Sequence, residues 1–195
     1  VRAVAGVENL TFARSRPAGG DRVTLTSASG LSGRVASNAV SPSFFATLSI
    51  PLLRGRALQP DDPVTGGVVP VVVSQRLAAE LLPGLDPLGQ VLHGAEGARF
   101  SVVGVARDDI QPGRASGPSL YRPLQPGQDL LLVRVAGDPQ VVAGGVSAAI
   151  RRAVPGIHGR FRTFQSTLDN DVEEIGDATT LVMLMGICAL LLALL

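Results

Sequence analysis

From Leu181 to Leu195 the chain contains only apolar residues and glycine, whereas the residues before it mix polar and apolar as a water-exposed domain does. The uncharged stretch from Thr179 to the end has no proline, and as a helix it would rise about 25 Å, a little less than the roughly 30 Å hydrocarbon core of a bilayer. A helix apolar on every face needs lipid or a large domain around it. A buried core helix is the alternative, and a secretory signal is disfavoured because such signals lie at the N-terminus behind a basic region. The sequence therefore predicts a globular domain followed by a truncated transmembrane helix over 178–195. Val1 to Val7 (VRAVAGV) has no initiator Met and reads as the end of a helix. The polypeptide is expected to continue at both ends.

Charge narrows the chemistry. All 17 basic residues are arginine, balanced by 16 acids to a net charge of +1. Without lysine there is no P-loop lysine, no Schiff-base lysine and no Ser-Lys dyad. The arginines are scattered, with close pairs such as Arg54/Arg56 and Arg151/Arg152, and no basic stripe follows a phosphate backbone, so nucleic acid is not an expected partner. Cys188 is the one cysteine, which rules out an intrachain disulfide.

Short alternating stretches separated by glycine and proline predict strands. Val7 to Ala13 and Arg22 to Thr26, divided by Arg16-Pro17-Ala18-Gly19-Gly20, predict a hairpin. Gly33 to Val40 is a further strand, after which Ser41 is expected as N-cap and Pro42 as first residue of a short helix reaching Leu48. Val68 to Val73, interrupted by Pro70, predicts an edge or entering strand. Ser74 caps a helix with Leu77, Ala78, Leu81 and Leu82 on one face, ended by Pro83-Gly84. Gln90 to His93 and Phe100 to Ala106 are expected to pair around the turn between them. Leu130 to Ala136 reads as a strand, and Asp138-Pro139 opens a helix with Val142, Val146, Ala149 and Ile150 at helical spacing. Arg160 to Phe164 is again a strand, and Ser166 to Asp169 has the form of a capping box from which a helix could run through Gly176 into the apolar segment. The β-α-β unit of the third stretch echoes Val35 to Gly55. An α+β fold with a split β-α-β core and a small α/β insert accounts for the order.

Candidate reactive residues are few. His93 and His158 fall in no ligand or nucleophile motif and are expected at a strand end and in a turn. Asp61-Asp62 and Asp108-Asp109 lie beside Gly/Pro-rich loops, and adjacent residues point apart, so they are expected to be solvated loop acids rather than metal ligands or an acid-base pair. Gly55, Gly89 and Gly104 form no nucleotide-binding fingerprint and are expected where the backbone needs unusual angles or close packing. Phe44-Phe45 could line an apolar pocket but is expected in the core. Arg54 and Arg56 are expected in surface ion pairs or at a subunit contact. No catalytic, cofactor-binding or metal-binding residue is assigned, and the chain is not expected to be an enzyme.

Several phrases together resemble a known family. Val40 to Arg56 (VSPSFFATLSIPLLRGR) resembles the "VSPxYFxTLGIPLLxGR" signature of MacB-like periplasmic core domains of ABC transporter permeases. Val71-Val72-Val73-Ser74 with Leu77-Ala78 and Pro83 to Gly89 is similar to that family's "VVxVNxxLAxxxxPGxDPxG". Phe100 to Val105, Tyr121-Arg122-Pro123, and Val133-Arg134 with Gly137-Asp138-Pro139 match "FxVVGV", "xYxP" and "VRxxGDP". The resemblance implies a porter-like core over 1–65 and 125–175, and an inserted small α/β subdomain over 66–124. It also implies a bacterial cytoplasmic (inner) membrane location, with residues 1–175 on the extracytoplasmic, periplasmic side. The implied partners are a cytoplasmic ABC ATPase, a second permease copy (a homodimer or duplicated half) and the membrane, with no cofactor of its own. The implied role is mechanotransmission in export or efflux. The rival reading is a membrane-tethered binding module for a lipid or peptide, which needs an apolar pocket. A membrane-anchored hydrolase would need a base and a nucleophile in contact, for which the sequence offers no support.

Overall fold

Alternation of apolar and polar residues builds a sheet wherever its apolar face finds cover, and here that cover comes mainly from the sheet itself. The computed structural model describes residues 4–15, 20–63, 65, 67–108, 117–125 and 130–153. Its strands are β1 (Val7–Ala13), β2 (Asp21–Ser27), β3 (Ser32–Val40), β4 (Leu52–Gly55), β5 (Val68–Ser74), β6 (Val91–His93), β7 (Arg99–Ala106), β8 (Ser119–Pro123) and β9 (Leu130–Val135). The helices are α1 (Phe44–Thr47), α2 (Gln75–Leu81) and α3 (Pro139–Ala153). This is the sheet-rich α+β class, with few helices.

The strands run in the order β2-β6-β7-β5-β8-β3-β1-β9, and β2 also pairs with β3. That additional pairing closes β2, β6, β7, β5, β8 and β3 into a hydrogen-bonded ring. Each ring strand supplies at least one residue to a single apolar cluster: Leu25, Val35, Val71, Val73, Leu92, Val102, Val105 and Leu120. Leu77, Ala78 and Leu81 of α2, with Leu82 beyond it, complete the cluster. Val72, one residue out of phase, faces a second cluster with Val40, Phe44, Phe45, Leu58, Ala106 and Tyr121. The register between β5 and β7 shifts after Val71, which pairs with Val102 while Val72 pairs with Gly104. Val103 is therefore the extra residue of a bulge. This is why Val102 and Val105, three apart, share the first cluster while Val103 packs against the second.

β5, α2, β6, β7 and β8 come from the 66–124 stretch, and β6 and β8 hydrogen-bond to β2 and β3. The pairing of β6 with β7 follows the expectation, with His93 opposite Arg99. β5 is not an edge strand, since it lies between β7 and β8; Pro70 is tolerated as at a strand's entry, because β8 reaches only Val72 and Val73 and the missing N–H lies beyond that ladder. α3 forms as expected, with Val142 and Val146 buried one turn apart. Among the described residues no helix is long and apolar enough to cross a membrane. The expected strand at 160–164, the capping box at 166–169 and the 178–195 segment lie outside the described residues.

Two local expectations are corrected. β1 and β2 do not form a hairpin. β2 turns through residues 28–31 onto β3, with Thr26 opposite Ser32, while β1 runs against the distant β9 from Val7–Val135 to Ala13–Leu130. A matching apolar strand brought in by the tertiary fold displaces the nearest neighbour in sequence. α1 starts at Phe44 with Ser43 at the N-cap and no side-chain cap, because the Ser41 hydroxyl is taken by β1. It is hydrogen-bonded to Thr11 Oγ1 at 2.6 Å and accepts from the Phe12 N–H at 3.1 Å.

β4 joins β7 with Gly55 opposite Gly104. A Cβ on Gly104 would lie 2.2 Å from the Arg56 carbonyl oxygen, and one on Gly55, whose φ is +71°, 2.2 Å from that of Val103. These backbones meet at a distance only glycine permits. Gly104→Ala should lower stability by about 2–3 kcal/mol in denaturant unfolding, as overpacking a rigid backbone contact does. By contrast, Gly144→Ala in α3, where a Cβ meets nothing within 4 Å, should raise stability by about 0.5–1 kcal/mol through helix propensity.

Candidate functional site

The sequence phrases between Val40 and Asp62 converge on one corner of the molecule, where β1, the end of β3, α1 and β4 meet. Three buried rings form its floor. Phe44 and Phe45 stand edge to face with centroids 5.5 Å apart, and Tyr121 of β8 lies 5.7 and 5.2 Å from them. Both phenylalanines are core residues, as expected.

Above this floor small polar side chains join β1 to the corner. Besides its bonds to β1, Ser41 contacts Ser43 Oγ at 3.3 Å, and Ser43 in turn donates to the Leu10 carbonyl at 3.1 Å. On β3, the buried Asn38 accepts from the Ser15 N–H and donates to the Ser15 carbonyl, each at 3.1 Å. The β1–β3 ladder itself contributes a single pair, Ala13 with Val40. The join is therefore made largely by side chains.

Ion pairs hold the rim. Arg56 grips Asp62 with two parallel bonds, Nη1 to Oδ2 at 2.9 Å and Nη2 to Oδ1 at 2.8 Å, and the Gln59 N–H adds a third at 2.7 Å. The Asp62 side chain is 6% exposed and that of Arg56 40%. The Arg56 hydrogen bonds hold the Asp62 carboxyl below its ordinary value, and burial only partly opposes them. The same pairing raises Arg56. Arg54 pairs with Asp86 at 2.8 Å in the open. Asp86 is also lowered, first by the Leu88 N–H and then by Arg54. Both arginines thus form the expected ion pairs. Asp62 is corrected: it is a gripped, mostly buried acid, while its neighbour Asp61 is exposed.

Asp108 is a loop acid as expected, with one added role: it accepts the Arg76 N–H at 2.9 Å, while Ser74 Oγ accepts those of Leu77 and Ser119 at 3.2 and 3.1 Å. Two free N–H groups of the first turn of α2 are thereby satisfied. Ser74 was legible as a cap. Asp108, 32 residues beyond Arg76, carried no local signal. Asp109 and His158 lie outside the described residues, and His93 is exposed at the end of β6 as expected. Among the described residues no three His, Cys, Asp or Glu side chains gather where a metal could be held. An open groove of about 330 Å³ is lined mainly by apolar residues, including Phe12, Val40, Pro42, Leu58, Pro60 and Leu124. The arrangement offers buried packing, a polar join and this groove, and no nucleophile set against a base.

Residues 1–153 match the family model of the MacB-like periplasmic core domain. The chain belongs to that family. No curated protein matches it in sequence. Among solved structures it is similar to the periplasmic region of MacB from Actinobacillus actinomycetemcomitans. The TM-score is 0.63 at 17% identity, with 88% of this chain and 78% of that one covered. It is also similar to the extracellular domain of the noncanonic ABC-type transporter YknZ from Gram-positive bacteria. Here the TM-score is 0.56 at 15% identity, with 78% and 79% covered. At these identities the likeness concerns the fold. The match places the corner's sequence phrases within a MacB-like periplasmic core domain, where Gly55 and Gly104 are the backbone contact that the "GR" and "VVGV" phrases provide.

The Arg56–Asp62 grip gives this MacB-like domain a pH-dependent component of stability. Because the folded carboxyl titrates below the unfolded value of about 3.9, the stabilisation is complete above that value and is lost as pH falls through the lower folded one. Asp62→Asn should destabilise by about 1 kcal/mol at neutral pH, a figure reduced for the solvent around Arg56. The difference between variant and parent should shrink in urea titrations as pH drops below about 3.9.

Proposed function

We propose that this chain is the non-catalytic extracytoplasmic domain of an ABC transporter permease in a bacterial cytoplasmic membrane. It couples ATP hydrolysis by a cytoplasmic ABC ATPase to movement outside the membrane during export or efflux. The observation that carries the reading is the family match over residues 1–153, joined with the uncharged apolar run from Thr179 to Leu195 further along the chain. In this reading 1–65 and 125–175 form a porter-like part, 66–124 an inserted α/β part, and 178–195 begins a transmembrane helix. A second copy of the permease stands beside it, as a homodimer or duplicated half. The charged and polar side chains at the corner support a mechanical role, since they are engaged with one another and with backbone groups.

The apolar groove favours a second reading, a membrane-tethered module that binds a lipid or peptide. One experiment separates the two. No proline occurs between Ser166 and Leu195, so a single helix can carry motion from the domain into the bilayer, and glycine weakens it by about 1 kcal/mol per residue. Inserting several glycines after Gly176 in the intact permease should leave folding and assembly in place while ATP-driven transport fails. Unchanged transport at equal expression would reject coupling through this segment and favour the binding module.

A further inference from the structure

Ser49 has a φ of +55°, a left-handed conformation shared among the non-glycine described residues only by Glu96. It lies just past the end of α1. The Ile50 N–H donates to the Phe45 carbonyl at 2.9 Å and the Ser49 N–H to that of Ala46 at 3.2 Å. These are the paired bonds of a Schellman motif, whose left-handed position is normally glycine. A Cβ there is pressed against the following carbonyl. The backbone strain is held in place at a residue that, unlike glycine, carries a hydroxyl at this turn. Arg134 of β9 donates from Nη1 to Ser49 Oγ, across 85 residues of sequence.

We propose that Ser49 is a latch residue: the left-handed turn presents its hydroxyl to Arg134 and fastens β9 to the α1–β4 corner. The inference deepens the coupling reading and depends on it for its biological meaning. Among the described residues β9 pairs only with β1, and β1 meets β3 through one ladder pair. β9 also leads directly into α3. Leu132 of β9 already packs against the cluster that holds Phe44 and Phe45, and the latch adds to this packing a directional hydrogen bond that bypasses β1, so a displacement arriving from the C-terminal side reaches the end of α1.

Amide hydrogen exchange on the full chain in detergent micelles tests this, with thermal unfolding in parallel. Ser49→Gly should maintain or raise the melting temperature, because strain is relieved. It should also speed exchange of the β9 amides, Leu131 to Val135, by about three- to tenfold, the scale of one lost hydrogen bond. Arg134→Ala should speed them equally, and the double variant no further. Ser49→Asn tolerates the left-handed turn and offers a carbonyl oxygen to Arg134, so it should keep β9 within about twofold of the parent. The latch is overturned if Ser49→Gly leaves β9 exchange within about twofold of the parent, or if the effects of the single variants multiply in the double. If these results hold while the glycine insertion after Gly176 spares transport, the latch stands and the coupling reading falls. The opposite pattern removes the latch alone.

Discussion

The double pairing of β2 is the constraint on which the rest of the described sheet depends. With β3 on one side and β6 on the other, it turns a curled sheet into a ring whose strands all face one cluster. Full closure removes exposed edges from those strands. It also allows a short helix, α2, to complete the core, with Leu77, Leu81 and Leu82 each no more than 3% exposed. The burial of each such leucine is worth roughly 1.5–3 kcal/mol. The closing contact with β6 is brief, Thr26 with His93 and Ser27 with Leu92. Packing inside the ring therefore holds it shut more than the hydrogen bonds at the seam.

Outside the ring the logic changes. β1 and β9 form a ribbon joined to the ring by small polar side chains. Ser41 and Asn38 supply acceptor oxygens, and Ser43 a hydroxyl donor, that a longer β1–β3 ladder would have supplied from the backbone. Side-chain bonds of this kind contribute about as much each as backbone bonds, but they do not impose a continuous register. A closed ring and a ribbon attached by separate bonds are compatible with the coupling role proposed above. The Arg56–Asp62 grip limits that freedom at the corner, because it stiffens the segment that leaves β4.

Much of the local structure could be read directly from residues. Ser74 ahead of Leu77 and Leu81 announced α2 and its cap, and Asp138-Pro139 ahead of Val142 and Val146 announced α3. The β6–β7 hairpin followed from two apolar stretches around a glycine-containing turn. The family phrases were readable in order, and Gly55 and Gly104 were recognisable as positions of close packing. Their meeting each other was not, since nothing within a few residues of either points to a partner 49 positions away.

What the sequence by itself determined is whatever is decided over one turn or one strand: caps, stops, alternation, and the uncharged character of the C-terminal run. What only the tertiary structure decided is pairing. β1 was released from β2 and given to β9, Ser41 was taken from α1 to hold β1, and Asp62 was drawn out of solvent by Arg56. In each case the local preference is worth a fraction of a kilocalorie to about one per mole. Closing a ring and burying two apolar clusters is worth many times that, so the long-range burial prevails.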